Sequence, residues 1–103
     1  MKVETTKQFE KWLNKLKDGK AKTIILVRLK SLQSHDEVNG DWKAIGNDVI
    51  ELRIHVGPGY RLYAAREQNT FLLLLIGGTK TSQERDIKQA KRILKNWRKD
   101  HAR

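Results

Sequence analysis

The stretch Val49–Arg66, which reads VIELRIHVGPGYRLYAAR, decides the fold of this chain. After Val49 its side chains alternate between apolar and polar as far as Val56, as in a strand that buries one face. Gly57-Pro58-Gly59 then turns the chain, and Tyr60–Arg66 forms the returning strand. The sequence therefore predicts an antiparallel hairpin with a three-residue loop.

The predicted pairing places four polar side chains on one face of the hairpin. With a three-residue loop, His55 lies opposite Arg61 and Arg53 lies opposite Tyr63, and directly opposed residues share a face. A slip by one residue would bury Arg61 in the core, so the apolar pattern favours this pairing. We therefore predict a sheet with an exposed cationic and aromatic face. The opposite face, under the helices, takes the apolar set Ile54, Val56, Tyr60, Leu62 and Ala64.

Helical and strand patterns surround the hairpin. Apolar residues recur at helical spacing from Phe9 to Leu16, Asp18-Gly19 ends that helix, and residues 20–33 form a second one. Both are too short to be stable alone, so we expect them to pair and to cover the sheet. Trp42–Ile45 forms a short strand, residues 70–76 form a central strand that Gly77-Gly78 ends, and residues 82–99 form a last helix.

The predicted fold class is α+β. An N-terminal helical hairpin packs on a small, mostly antiparallel twisted sheet, with a C-terminal helix, and residues 1–103 form one domain. The chain has 22 Lys and Arg against 12 Asp and Glu, a net charge of +10 and a pI near 10.1. A small domain this basic usually meets a polyanion, and both nucleic acid and an acidic protein fit.

Composition also limits the chemistry and the compartment. The chain has no cysteine, which excludes disulfides and thiolate metal sites. Its three histidines show no metal-ligand spacing, so we predict neither a metal nor a cofactor. The N-terminus lacks the apolar segment of a signal peptide, and the longest apolar run, 71–76, is too short to span a membrane. We expect a cytoplasmic protein.

The polar face of the hairpin is a candidate phosphodiester site. Arg61 and Lys80 have the charge to stabilise phosphate oxygens, and His55 has the titration range of an acid or a base. Tyr63 has a ring that can stack on a base. Cleavage by a ribose 2′-hydroxyl needs such groups and no metal. Arg53 either contacts RNA or pairs with Glu51 or a helix carboxylate.

The segment Lys80–Arg103 is a second basic feature, with nine Lys or Arg against three acids. Four of these cations follow helical spacing away from the apolar stripe of the last helix: Lys88, Lys91, Lys95 and Arg98. Such an excess of one sign suits a track for ribosomal RNA. The alternative is an exposed face that only makes the protein soluble.

Several parts of the sequence occur in the order of a known family. Phe71–Ile76 follows the hairpin, and Gly77-Gly78-Thr79-Lys80, Gln83 and Asp86-Ile87 come next. With Glu51–Arg61, this set resembles the RelE/ParE superfamily of bacterial toxins, and within it the HigB-like branch often labelled "addiction module killer protein".

The resemblance implies the toxin of a type II toxin–antitoxin system. Such a toxin cuts messenger RNA on the ribosome and inhibits translation, and a helix-turn-helix antitoxin encoded next door restrains it. Arg53, Arg61 and Lys80 match the motif of the family. Several RelE-type toxins carry a tyrosine or histidine near an end of the last helix, and Thr79–Lys91 has neither. Two alternatives therefore stay open: a ParE-like inhibitor of DNA gyrase that cleaves nothing, and a non-toxic basic nucleic-acid-binding module.

Overall fold

The computed structural model describes residues 1–102, and in this part of the chain five strands form one sheet against three α-helices. The sheet order is β1-β5-β4-β3-β2, with β1 parallel to β5 and the other pairs antiparallel. The predicted α+β class is confirmed. The elements are β1 (Lys2–Thr5), α1 (Lys7–Lys15), α2 (Gly19–Gln33), β2 (Trp42–Ala44), β3 (Val49–Ile54), β4 (Tyr60–Glu67), β5 (Phe71–Thr79) and α3 (Gln83–Asp100), with a 3-10 turn at Lys80–Ser82.

Side-chain caps explain where the first two helices begin. The Thr6 hydroxyl accepts a hydrogen bond from the backbone N–H of Phe9 at 3.1 Å. The Asp18 carboxylate accepts one from the backbone N–H of Ala21 at 3.0 Å. Each cap satisfies a donor that the first turn of a helix leaves without a partner. The N-terminal helical hairpin is therefore specified locally, as well as by its apolar residues.

The sheet separates two apolar cores. Helices α1 and α2 cover one face through Phe9, Ala21, Ile25 and Leu32. The predicted apolar set lies on this face, with Ile54, Tyr60, Leu62 and Ala64 buried and Val56 partly buried. Helix α3 covers part of the other face through Ala90, Ile93 and Leu94. The second face is therefore not an open surface along its whole length, which corrects the sequence prediction.

The register of the hairpin differs from the prediction by two residues. Arg53 lies opposite Arg61, Ile54 lies opposite Tyr60, and the loop has the five residues 55–59 instead of three. Because side chains alternate with a period of two, a shift by two preserves which residues share a face. The predicted faces are thus right, although the predicted pairs are wrong.

Gly77 and Gly78 lie inside β5 and do not end it, contrary to the prediction. A Cβ atom on Gly77 would be 2.4 Å from the ring of Trp12, and one on Gly78 would be 1.8 Å from Asp86 Oδ2. Because Gly77 has no side chain, Trp12 packs directly on the backbone on one face of the sheet. Because Gly78 has none, Asp86 does the same on the other face. A β-bulge at the Tyr63/Ala64 position of the β4–β5 ladder precedes them.

Of the helices in residues 1–102, none has both the length and the apolar character that crossing a bilayer requires. Arg103, the last basic residue of the charged C-terminal segment, lies outside the described residues.

Candidate functional site

A fully buried carboxylate lies at the centre of the polar part of the α3 face. Glu51 on β3 has no solvent exposure. Its Oε1 accepts a hydrogen bond from Arg53 Nε at 3.2 Å, and its Oε2 accepts one from Gln83 Nε2 at 2.8 Å. Arg61 Nε lies 3.7 Å from the same Oε1. A buried charge needs such partners, and here they come from β3, β4 and the start of α3.

A second carboxylate connects Arg53 to His55. Asp41 Oδ1 lies 3.5 Å from Arg53 Nη1, and Asp41 Oδ2 is hydrogen-bonded to His55 Nε2. The pKa of Asp41 is lowered, first by the hydrogen bond with His55 and then by the charge of Arg53. The acidic and basic groups therefore form one continuous network, which runs from His55 through Asp41, Arg53 and Glu51 to Arg61.

The backbone around Asp41 is fixed by two contacts. The Asp41 carbonyl accepts hydrogen bonds from the backbone N–H of Arg53 at 2.9 Å and from Arg28 Nη2 at 3.3 Å. The guanidinium of Arg28 occupies the space where a side chain on Gly40 would lie, and Gly40 has a φ of 81°. Asp41 is thus held by α2 as well as by β3, and it presents its carboxylate to His55.

The network changes from buried to exposed along its length. Arg61 is 8% exposed, and Tyr63 is completely buried. The side chain of Arg53 is 29% exposed and that of His55 is 68% exposed. The expectation that Arg61 and Tyr63 lie on an open face is therefore wrong. Helix α3 covers the inner end of the network and leaves the outer end, at Arg53 and His55, open to solvent.

Tyr63 has no surface on which a base can stack in this structure, which contradicts the base-stacking role predicted for it. Burial, followed by the charge of Glu51 directly across the ladder, raises the pKa of Tyr63 above its ordinary value. The hydroxyl therefore stays protonated at neutral pH. Neither this hydroxyl nor Arg61 Nε makes a hydrogen bond within the described residues.

Lys80 lies at the edge of the same region. Its backbone N–H donates to the Gly59 carbonyl at 2.8 Å, so the 3-10 turn before α3 is attached to the β3–β4 loop. The residue is exposed. Lys43 on β2, which sequence reasoning did not single out, is also exposed and lies opposite Glu51 in the β2–β3 ladder. Two further cations thus flank the network.

The basic face of α3 differs in part from the prediction. Lys88 and Lys95 are exposed, and Lys91 is partly exposed. Arg98 donates to both oxygens of Glu67, at 2.9 and 2.7 Å, and to Asp48 at 3.1 Å. These hydrogen bonds, first the one with Glu67, raise the pKa of Arg98. Arg98 is therefore tied into an ion-pair network, and the exposed cations Arg85 and Arg92 continue the basic face instead.

Sequence reasoning missed Asp41, one of the two carboxylates that organise the site. Glu51 was placed on the correct face and named as one possible partner of Arg53, and this pairing is confirmed. A weak signal was available, since Asp41 directly precedes β2 and Glu51 lies within β3 opposite Lys43. Among residues 1–102, no group of three or more His, Asp and Glu side chains is placed to hold a metal ion.

The fold is that of a RelE-like α+β protein. A chain in the crystal structure of the RelB-RelE antitoxin-toxin complex from Methanococcus jannaschii superposes with a TM-score of 0.65. The match covers 82% of this chain and 98% of that one at 22% sequence identity, a level that establishes a shared fold. The RelE-like architecture is therefore confirmed.

The chain belongs to the same family as a Haemophilus influenzae protein described only as "Uncharacterized protein". The two are 43% identical over 91 residues, which cover 88% of this chain and 90% of the relative. No protein-family model matches the sequence.

Proposed function

We propose that this chain is the toxin of a type II toxin–antitoxin pair, of the HigB-like kind, and that it cleaves messenger RNA on the ribosome. The observation that carries the proposal is the network on the α3 face. It joins two arginines to an exposed histidine that a carboxylate orients. A RelE-like fold and a net charge of +10 are consistent with this activity.

The chemistry requires only groups that the chain provides. The ribose 2′-oxygen attacks the adjacent phosphorus, the bond from phosphorus to the 5′-oxygen breaks, and a 2′,3′-cyclic phosphate forms. His55 takes the proton of the 2′-hydroxyl through the ring nitrogen that does not face Asp41, and the 5′-oxygen takes up a proton from water as it leaves. Arg53, Arg61 and Lys80 stabilise the charge on the phosphate oxygens. Arg61, nearly buried, acts at the inner end of the site.

Helix α3 supplies the surface for ribosomal RNA in this proposal. Lys88, Lys91 and Lys95 carry no acidic partner within 4 Å among the described residues, and Lys88 and Lys95 are exposed. Binding of a basic surface to RNA releases counterions, so affinity should fall steeply with salt. Arg98 contributes less to this surface, since its guanidinium is already held by Glu67 and Asp48.

Cleavage of ribosome-bound messenger RNA tests the proposal directly. The wild-type protein is incubated with translating ribosomes, and the cleaved ends are mapped by primer extension. A triple variant with Lys88, Lys91 and Lys95 changed to Glu should bind ribosomes more weakly. The matched control changes Lys20, Lys22 and Lys30 on α2 to Glu, which alters the net charge equally on another face. If both variants lost ribosome binding equally, the loss would result from the change in net charge and not from the α3 surface.

The partner in this proposal is a helix-turn-helix antitoxin with an acidic segment, which covers the region around Arg53, Arg61 and Lys80. Charge complementarity with a +10 protein speeds association. The complex, through the antitoxin, should then bind operator DNA. Footprinting of the isolated chain on its own promoter provides the check, because sequence-specific protection without the antitoxin would favour a plain DNA-binding module.

Inhibition of DNA gyrase without cleavage is the second candidate. One observation favours it: Glu51 and Asp41 already balance the charges of Arg53 and Arg61, and the first turns of α3 add no tyrosine or histidine. Gyrase-linked DNA breaks in cells that express the protein, with intact messenger RNA, would identify this activity.

A further inference from the structure

We infer that Glu51 is a positioning residue, whose carboxylate sets the geometry of Arg53 and Arg61, and that Gln83 couples this carboxylate to α3. The inference rests on the proposed function and extends it to a residue that touches no substrate. It follows from the complete burial of Glu51 and from its three partners on three different elements.

The energetic argument begins with burial. A carboxylate without solvent exposure loses its hydration, and an apolar side chain of the same size costs nothing comparable. Neighbouring positions on the α3 face carry such apolar side chains, including Val49, two positions before Glu51 on the same strand and the same face. The acidic residue at this position is therefore unnecessary for packing, and its charge has another use.

That use is visible in the way Arg53 is held. Glu51 accepts from Arg53 Nε, and Asp41 lies beside Arg53 Nη1. The other terminal nitrogen, Nη2, makes no side-chain hydrogen bond among residues 1–102, and the side chain is 29% exposed. A guanidinium fixed on two sides and open on the third is pre-organised to donate to a phosphate oxygen.

Gln83 extends the arrangement to the helix. It is the first residue of α3, and its amide donates to Glu51 Oε2 at 2.8 Å. The 3-10 turn directly before it contains Lys80, whose backbone N–H is hydrogen-bonded to the β3–β4 loop. The position of α3 relative to the sheet and the positions of the two arginines are thus linked through one carboxylate.

Glu51→Gln is the test, because it keeps the shape of the side chain and removes its charge. With ribosome-bound messenger RNA as substrate, we expect kcat to fall on the order of 10- to 100-fold, as for catalytic groups displaced by a fraction of an ångström to an ångström. KM should stay the same or fall, since the loss of a negative charge does not weaken RNA binding. Gln83→Ala should show the same pattern with a smaller loss.

Glu67→Gln is the matched control. Glu67 on β4 is also a buried carboxylate, 6% exposed, and it is paired with Arg98 of α3, outside the network. It should lower stability and leave kcat of the folded protein unchanged. Equal kcat for Glu51→Gln and the wild type would overturn the inference, and so would equal losses in Glu51→Gln and Glu67→Gln. If Glu51→Gln does not fold, kcat and KM of Gln83→Ala decide.

A second measurement separates this inference from the proposed function. In the wild type, the Nε–H signal of Arg53, which donates to Glu51, should exchange slowly with solvent by NMR, and Glu51→Gln should accelerate this exchange. A wild-type protein that cleaves no RNA would refute the proposed function. The exchange measurements would still test whether Glu51 fixes the position of its arginine partner. Unchanged rates in Glu51→Gln would refute the positioning even in an active enzyme.

Discussion

The two faces of the sheet have different interiors although the same strands build them. The face under α1 and α2 has an apolar interior that encloses residues such as Phe9, Leu52 and Leu62. The face under α3 is apolar near Leu73 and Leu94 but becomes charged around Glu51 and its arginines. The first arrangement maximises the free energy gained by burying apolar surface. The second gives up part of that gain to hold charges in fixed positions.

Neighbouring residues on β4 provide the sharpest test of this difference, because Leu62 and Arg61 point to opposite faces. Arg61→Ala should reduce the rate of RNA cleavage by a factor on the order of 10²–10³, as expected when a charge-stabilising donor is removed. Leu62→Ala should instead lower the free energy of unfolding by about 2–5 kcal/mol, because it leaves a cavity.

Urea denaturation and single-turnover cleavage measure the two effects separately. Leu62→Ala should keep its cleavage rate per folded molecule at a temperature where it remains folded. Because Arg61 is 8% exposed, Arg61→Ala will also lose some stability, so its rate must be compared at equal folded fraction. If both variants lost only stability, the two faces would have the same purely structural role.

The adjacent glycines of β5 also allow the two faces of the sheet to be compared, because Gly77 contacts α1 and Gly78 contacts α3. Gly77→Ala would push against the ring of Trp12, and Gly78→Ala against the carboxylate of Asp86. Each should lower the free energy of unfolding by about 1–3 kcal/mol, as for overpacked sites. Only Gly78→Ala should also slow RNA cleavage, since Asp86 lies in α3 and anchors its first turn through Ser82. Equal activity in the two variants would contradict that distinction.

The sequence predicted the face of each strand residue better than its partner. The alternation from Ile50 to Val56 determines which side chains share a face, whereas the register depends on loop length. The loop of residues 55–59 takes positive φ at Gly57 and Gly59, 55° and 81°, and it keeps His55 outside the strand. The sequence showed that these glycines turn the chain, but not how many residues the turn includes.

The candidate site was predictable only in its cations. Arg53, Arg61 and Lys80 stand out by charge and by resemblance to a family motif. Burial of Arg61 and Tyr63 depends on where α3 lies, and this follows from the packing of Ile93 and Leu94 on the sheet. The partners of Glu51 are separated by up to 32 residues in sequence. Such contacts leave no pattern in the local sequence, because only the tertiary fold brings these residues together.

Helix α3 carries two kinds of cation. Arg98 is held by ion pairs, whereas Lys95 is an exposed cation. Arg98→Ala removes three hydrogen bonds and leaves Glu67, 6% exposed, without its partner. Because the side chain of Arg98 is 41% exposed, solvent screening reduces the expected loss to about 1–2 kcal/mol of unfolding free energy. Lys95→Ala should change stability by less than about 0.5 kcal/mol and lower RNA affinity instead. Thermal denaturation with filter-binding at two salt concentrations distinguishes these outcomes.

The pH dependence contributed by Asp41 is the smallest effect that we predict. Its folded pKa lies below the ordinary value of about 3.9, because His55 hydrogen-bonds to it and Arg53 and Arg28 face it. A group with a lowered pKa stabilises the fold above its unfolded pKa, and this stabilisation is lost as pH falls through the folded pKa. The difference in urea midpoint between wild type and Asp41→Asn should therefore be constant near neutral pH and shrink below about pH 4. A difference that does not shrink below about pH 4 would contradict the lowered pKa of Asp41.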